Sequence, residues 1–378
     1  MLDAELEGWL RLAITPGVGN TTARALLGTF GVPESIFGQS RAALAAVVTP
    51  AQLDALLNPP AELAPLHAAT QAWLGDDPVC RRILTLGDPR YPAALLEMPD
   101  PPLMLHAIAN PAFWEAAQWP VPALAVVGSR NPTPQGATNA RMFARDLAQR
   151  GVCVVSGLAL GVDGAAHEGA LDGGEGPCRT IAVVGTGLDR VYPARHRDLA
   201  HRIAPHGVLA SEYPLGTPPL AHHFPQRNRI ICGLAQGTLV VEAALQSGSL
   251  ITARLSADQG KEVFAVPGSI HAPQSKGCHA LIRQGAKLVE CAQDIVEEFA
   301  AWATPHPPSQ GAGEGPLDDH SPTCAVLAAL GYDPLGLDLL QARTGWRTSD
   351  LQVRLMELEL EGLVGRLPGG LFQRLAQA

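Results

Sequence analysis

Five short, continuously apolar runs punctuate the middle of this chain, and they constrain its fold more than any other feature. They are Leu124-Ala-Val-Val127, Val152-Cys-Val-Val155, Thr180-Ile-Ala-Val-Val184, Thr238-Leu-Val-Val241 and Glu262-Val-Phe-Ala-Val266. Val208–Ser211 and Lys287–Val289 are weaker runs of the same kind. A strand with one wet face alternates apolar and polar residues, whereas a run apolar throughout fits a parallel strand covered on both faces. Stretches of helical spacing separate the runs. Residues 111–302 are therefore expected to form an α/β domain with a Rossmann-like, doubly wound, mostly parallel sheet.

The flanks read differently. Within residues 1–110, Leu6–Leu12, Thr21–Phe30, Arg41–Val47, Ala51–Leu57 and Leu63–Trp73 carry helical spacing. Thr15-Pro-Gly-Val-Gly-Asn20 forms a tight turn between the first two, so a SAM or helix-hairpin-helix-like domain is expected. Such a turn can offer the second helix's free N–H groups to a phosphate; a simple corner in a helical bundle is the preferred alternative. The proline-rich stretch from Asp88 to Asn110 should be extended and irregular. Residues 303–322 read as a Pro/Gly linker. Beyond it, in 323–378, an amphipathic helix over Asp350–Gly362 and a hairpin over Val364–Arg374 suggest a winged-helix-like domain.

The chain has 378 residues and a net charge of −9, which taken whole argues against a nucleic-acid partner. Divided by segment it argues less. Residues 1–110 hold 6 basic and 11 acidic side chains, 121–301 hold 16 and 15, and 323–378 hold 5 and 6. Anion binding would thus depend on a few placed arginines and backbone amides, not on a broad basic field. The acidic N-terminus lacks the order of a secretory signal, no run is long enough for a membrane span, and the seven cysteines form no Cys-x-x-Cys pair. A cytoplasmic protein with reduced thiols is expected, with no membrane partner.

In an open parallel sheet, ligands bind beyond the carboxyl ends of the strands. The first strand runs into Gly128-Ser129-Arg130-Asn131, with Thr133-Pro134 as a helix cap and first helical residue. Small residues let the backbone approach an anion, and Arg130 offers a bidentate fork to phosphate. The second runs into Ser156-Gly-Leu-Ala-Leu-Gly161-Val-Asp163-Gly-Ala-Ala-His167. Asp163 and His167, four apart, are expected to pair and support this loop. No nucleophile elbow surrounds Ser156. Phe224-Pro-Gln-Arg227-Asn228-Arg229 places two arginines about 200° apart on a helix, one toward a ligand and one inward. Ser247-Gly248-Ser249-Leu-Ile-Thr252 supplies hydroxyls and amides at a further helix start. Four such loops at one edge of one sheet point to an anion site.

Other chemistries lack their motifs. Gly260-Lys261 is preceded by Leu255 where a phosphate-binding loop needs glycine, and Gly185-Thr-Gly187-Leu-Asp-Arg190 ends in arginine where a dinucleotide fingerprint needs a third small residue. His271, Cys278 and His279 match no zinc spacing. No cofactor, metal or catalytic residue is expected.

The ordered set of motifs resembles the DprA/Smf DNA-processing family. It comprises Val126-Val-Gly-Ser-Arg130, the Ser156–His167 loop, Gly187-Leu-Asp-Arg-Val-Tyr-Pro193, Ser211-Glu-Tyr-Pro214 and Phe224-Pro-Gln-Arg-Asn-Arg-Ile-Ile231. Ser247–Thr252, Val263-Phe-Ala-Val-Pro-Gly268 and Leu281-Ile-Arg-Gln-Gly-Ala286 complete it, between Tyr91 and Glu297. The resemblance implies a non-enzymatic, cofactor-free protein that binds single-stranded DNA. It would form a homodimer through the Rossmann-like domain and help load RecA recombinase during natural transformation and recombination, with single-strand-binding protein as a further partner. The implied DNA-binding set is Gly128, Ser129, Arg130, Ser156, Gly157, Phe224, Arg227, Asn228, Arg229, Ser247, Gly248, Ser249, Thr252 and Lys276. Ala221 stands where many members carry a lysine, so either His222 or His223 substitutes or phosphate contact there is weaker, and His279 stands where an asparagine is usual. Two other readings stay open: an enzyme similar to nucleotide phosphoribohydrolases, with Glu242 assisting glycosidic cleavage, and a small-molecule-binding scaffold.

Overall fold

The computed structural model describes residues 3–116, 118–299 and 322–375. The chain opens with α1 (Asp3–Ile14), α2 (Asn20–Phe30), α3 (Pro33–Phe37), α4 (Arg41–Ala45), α5 (Pro50–Leu57) and α6 (Leu63–Asp76). They close around Leu10, Leu12, Leu26, Leu44 and Leu56. Local chemistry sets their starts. Thr49 and Gln52 form a reciprocal capping box ahead of Pro50, and Ser40 caps α4. The five-residue α3 is too short to show a period, and sequence spacing missed it.

The proline-rich stretch is where expectation and structure part. β1 (Arg81–Thr85), α7 (Ala93–Leu96), β2 (Met104–Ala109) and α8 (Pro111–Ala116) follow α6. The prolines lie in the connection, and the apolar residues after them pair as β2 with β1 on one side. The central sheet thus begins at Arg81, inside the segment read as helical.

The alternating region then delivers β3 (Ala123–Gly128), α9 (Pro134–Gln149), β4 (Cys153–Ser156), α10 (Val162–Gly173), β5 (Thr180–Val183), α11 (Arg197–Ile203) and β6 (Val208–Ser211). It continues with α12 (His223–Leu234), β7 (Gly237–Val241), α13 (Ser249–Asp258), β8 (Glu262–Ala265), α14 (Lys276–Arg283), β9 (Lys287–Leu288) and α15 (Ala292–Val296). Among the described residues nine strands form one sheet, ordered β1-β2-β6-β5-β4-β3-β7-β8-β9. β3 to β9 run parallel in that sheet, β2 adds antiparallel to β6, and β1 adds antiparallel to β2. Both faces are covered, as the apolar runs require. Ala125 and Val127 pack with Ile230, Ile231 and Ala253 of α12 and α13 on one face. Leu124 and Val126 pack with Phe143, Ala144 and Ala166 of α9 and α10 on the other. From β3 the chain winds outward one way to β6 and then returns to β7 beside β3, so a topological switch point lies between β3 and β7.

The last unit contains α16 (Pro322–Leu330), β10 (Leu335–Gly336), α17 (Leu337–Thr344), α18 (Thr348–Leu360), β11 (Val364–Leu367) and β12 (Leu371–Arg374). Its three strands are ordered β10-β12-β11 around a core that includes Leu330, Leu340, Leu355, Leu358 and Phe372. This is the expected winged-helix arrangement. Gly362, at φ 73°, follows the end of α18, and Gly369 and Gly370, at φ 85° and 72°, turn the hairpin. The linker expected at 303–322 lies, but for Pro322, outside the described residues. No helix among them is long and apolar enough to cross a membrane.

Candidate functional site

At the switch point the loops after β3, β4 and β7 and the start of α12 surround a cavity of about 490 Å³. The loop after β3 is fixed from both sides. Ser129 N–H donates to Glu242 O at 2.7 Å, and Ser129 O accepts from Val162 N–H at 3.1 Å. Gly128 is required by close approach: a Cβ there would stand 1.9 Å from Val241 O. Thr133 caps α9 by accepting from Gly136 N–H, and Pro134 is the first helical residue, as the sequence indicates. This clamped loop leaves Arg130 exposed, its guanidinium carbon 5.6 Å from the centre of the Phe224 ring. Tyr192, 46% exposed, lies 5.5 Å from the same ring. Ser129, Asn131, Asn228, Gln246, Ser247 and Gly248 line its open polar part, beside exposed Pro225, Ala244 and Ile251.

The expected set divides in two. Gly128, Ser129, Arg130, Phe224, Asn228, Ser247, Gly248, Ser249 and Thr252 do meet around this cavity, although Ser249 and Thr252 are buried. Ser249 Oγ is 2.6 Å from Ser247 Oγ.

Others are spent elsewhere. Ser156 is fully buried and donates to Val126 O at 2.6 Å, so its hydroxyl ties β4 to β3 and offers nothing to a ligand. Gly157 is buried beside it, its N–H donating to Asp163 at 3.1 Å. Arg227 borders the cavity but turns its guanidinium inward, donating to Gly157 O and Val183 O, with Asp163 at 3.9 Å. Its side chain is 4% exposed. This arginine is a peg that fixes α12 against the sheet, because the strand-end carbonyls it satisfies are buried. Arg229 points away from the cavity, to Glu212 and to Asp100 O at 2.7 Å. The expectation that one arginine faces the ligand and one faces inward therefore fails: both serve the fold. Lys276 is exposed at the start of α14, outside this cavity, and donates to Ile270 O.

Asp163 and His167 support the second loop, as expected, but not as a pair. Asp163 accepts from Gly157 and Ala159 N–H at 3.1 and 3.3 Å. His167 Nε2 accepts from Leu158 N–H at 3.3 Å, and its Nδ1 faces Thr180 Oγ1 at 2.7 Å. Thr180 donates onward to Val154 O, so the neutral tautomer with a proton on Nδ1 satisfies every group. Burial pushes the His167 pKa down to about 3, and burial raises that of Asp163 against the pull of Arg227. Leu158 and Glu242, next to the site, hold positive φ at 56° and 51°. Such strain persists only where the surroundings over-determine it.

Three further positions bear on the sequence reading. Glu242 accepts from Thr133 N–H at 2.8 Å and from its hydroxyl, and burial raises its pKa; it ties α9 to β7 and does not line the cavity. His223 is buried, stacked on Tyr213 at 4.0 Å, which leaves only exposed His222 to replace the missing lysine. The α2 turn faces Asp100 and Glu212 across a separate cavity of about 450 Å³. Asn20 Nδ2 donates to Asp100 at 3.4 Å. Carboxylates at that helix start fit the simple corner and oppose phosphate. Tyr192 and Gln246 were missed, although a tyrosine before Pro193 in a loop after a strand was a legible sign of an exposed ring.

Comparisons with known proteins identify relatives of the chain and of its fold. The family model described as DNA recombination-mediator protein A matches residues 82–300, and the DprA winged helix domain matches residues 310–370. Protein Smf of Escherichia coli is 42% identical over 292 residues, covering 76% of each chain. DNA processing protein DprA of Streptococcus pneumoniae is 45% identical over 212 residues, covering 56% of this chain and 72% of that one. The X-ray structure of the Streptococcus pneumoniae protein superposes with a TM-score of 0.61 at 35% identity, over 79% of this chain and 98% of that chain. A structure of the Helicobacter pylori protein, reported for its single-stranded DNA binding mode, gives 0.50 at 30% identity, over 57% and 95%.

Proposed function

The chain belongs to the DNA recombination-mediator protein A (DprA/Smf) family, and on that premise we propose that it binds single-stranded DNA in the switch-point groove. In this reading it acts without catalysis or cofactor, in the cytoplasm, as a homodimer formed through the Rossmann-like domain. It helps load RecA onto the strand, with single-strand-binding protein as a further partner.

One observation carries the reading. Exposed Arg130 lies over Phe224 at the mouth of a groove whose lining mixes the hydroxyls, amides and glycines of Ser129, Asn131, Asn228, Ser247 and Gly248 with apolar Ala159, Pro225, Ala244 and Ile251. That combination suits a phosphate beside a base: the guanidinium takes the phosphate oxygens, and the Phe224–Tyr192 rings give a base a face to stack on. The groove's neutral rim cannot hold duplex DNA by field alone, so a flexible strand that threads between loops is the better ligand.

Fluorescence anisotropy with single-stranded and duplex oligonucleotides at two salt concentrations tests this. Binding should favour single strands and weaken steeply with salt, and Arg130→Ala should lower the salt slope by about one. Salt-independent binding would sink the mechanism. Release of base from a nucleoside monophosphate, abolished by Glu242→Gln, would favour the phosphoribohydrolase-like reading instead.

A further inference from the structure

The C-terminal module has the two parts with which winged helices read duplex DNA, a second helix of the helix-turn-helix and a wing. Neither is arranged for that use. α18 turns Val353, Met356 and Leu360 to solvent, 59%, 55% and 85% exposed. At helical spacing the three share a sector of about 60°, a single apolar stripe two turns long. Carboxylates flank it: Asp350, Glu357 and Glu361 on one side, Glu359 on the other. The nearby arginines answer those acids, Arg354 pairing with Glu357 at 2.6 Å and Arg366 with Glu359 at 3.6 Å. A DNA backbone would meet arginines already paired with carboxylates, Arg347 with Asp350 included, and base edges would meet an apolar stripe with only Ser349 and Gln352 on or beside it to hydrogen-bond.

The wing is engaged elsewhere. Gly365 of β11 lies against Pro134, the first residue of α9, so closely that a Cβ would stand 2.8 Å from the proline Cβ. Pro134 is three residues beyond Asn131 at the groove's rim. The hairpin thus mounts the module beside the groove while the α18 stripe stays uncovered.

We propose that this module is a protein-docking adaptor: α18 receives an amphipathic helix with an apolar seam and Lys/Arg flanks from a partner protein. A stripe this narrow matches one helix seam, and acidic flanks on both sides select a basic partner. A second copy of α18 laid antiparallel would set the same acids against each other, which disfavours self-pairing. That the partner is thereby held beside single-stranded DNA rests on the function proposed above; the docking surface itself does not.

The test uses the full chain and a labelled synthetic helix with a leucine seam and lysine flanks, beside a glutamate-flanked counterpart. The lysine peptide should bind and the glutamate peptide should not. Met356→Ser with Leu360→Ser should weaken lysine-peptide binding about tenfold or more while single-strand binding is unchanged. Asp350→Lys with Glu361→Lys should shift preference to the glutamate peptide. Equal binding of both peptides, insensitivity to the serine changes, a loss of duplex DNA binding on those changes, or dissociation of a dimer by them would each overturn the proposal. If the peptide results hold and single-strand binding is absent, the docking surface stands and only the DNA reading falls.

Discussion

Arg130 and Arg227 sit in similar motifs and do opposite work, and burial decides which does what. Arg130 is exposed and lies over the face of Phe224, so Arg130→Ala should leave the melting temperature within a degree or two while weakening single-strand binding. Arg227 is sealed, with two strand-end carbonyls and Asp163 depending on it. Arg227→Ala should cost about 3–5 kcal/mol in denaturant unfolding, because it strands a buried carboxylate. Lost affinity in that variant would follow from a displaced α12, not from a missing phosphate contact. The buried histidines give a pH dependence. Burial pushes His106 down to about 4 and His167 to about 3, from an ordinary value near 6.5. The unfolded chain therefore binds more protons than the folded one below about pH 6.5. The stability these neutral rings contribute is present above that pH and is lost as pH falls toward 4. Melting temperature should drop across this window, and His106→Phe should flatten the drop.

α12 is the element on which the site depends. One side carries Phe224 and Asn228 to the groove, and Arg229 anchors the other to Glu212 and Asp100. Asp100 in turn pairs with Arg24 of α2 at 2.6 Å, so the helical domain braces the groove from behind. The start of α9 is a second fixed point. Thr133 both caps the helix and donates to Glu242, so Thr133→Ala should cost about 1–2 kcal/mol by thermal unfolding. The motifs that announced these elements were legible because strand ends and helix starts require particular residues: glycine where backbones touch, threonine then proline at a first turn. α3 and β2 were not. One is too short for periodicity, and the other follows prolines whose local preference is overridden by pairing across to β6.

For the whole molecule, a net charge of −9 coexists with a proposed polyanion ligand because the acids and the groove are segregated. The helical segment and α18 carry surplus carboxylates, while the sheet edge gathers amides and the exposed Arg130. Removing residues 303–378 should leave single-strand affinity within about twofold by anisotropy, since the wing touches α9 and not the cavity lining.

By itself, the sequence determined the parallel part of the sheet and its loops. Runs such as Leu124–Val127 must be buried on both faces, and parallel strands so buried send their connecting loops to one common edge. It determined also that Gly128, Thr133 and Pro134 would form a tight strand-to-helix turn, since those are local requirements. What only the tertiary structure decided is which side chains at that edge meet solvent. Ser156, Arg227 and Arg229 read like phosphate ligands because their type suits an anion. Each is instead consumed by a carbonyl or carboxylate that a distant segment brings within reach: Val126, Val183 and Glu212. A buried acceptor without water must be satisfied by the protein, and no local pattern records where the fold will place one.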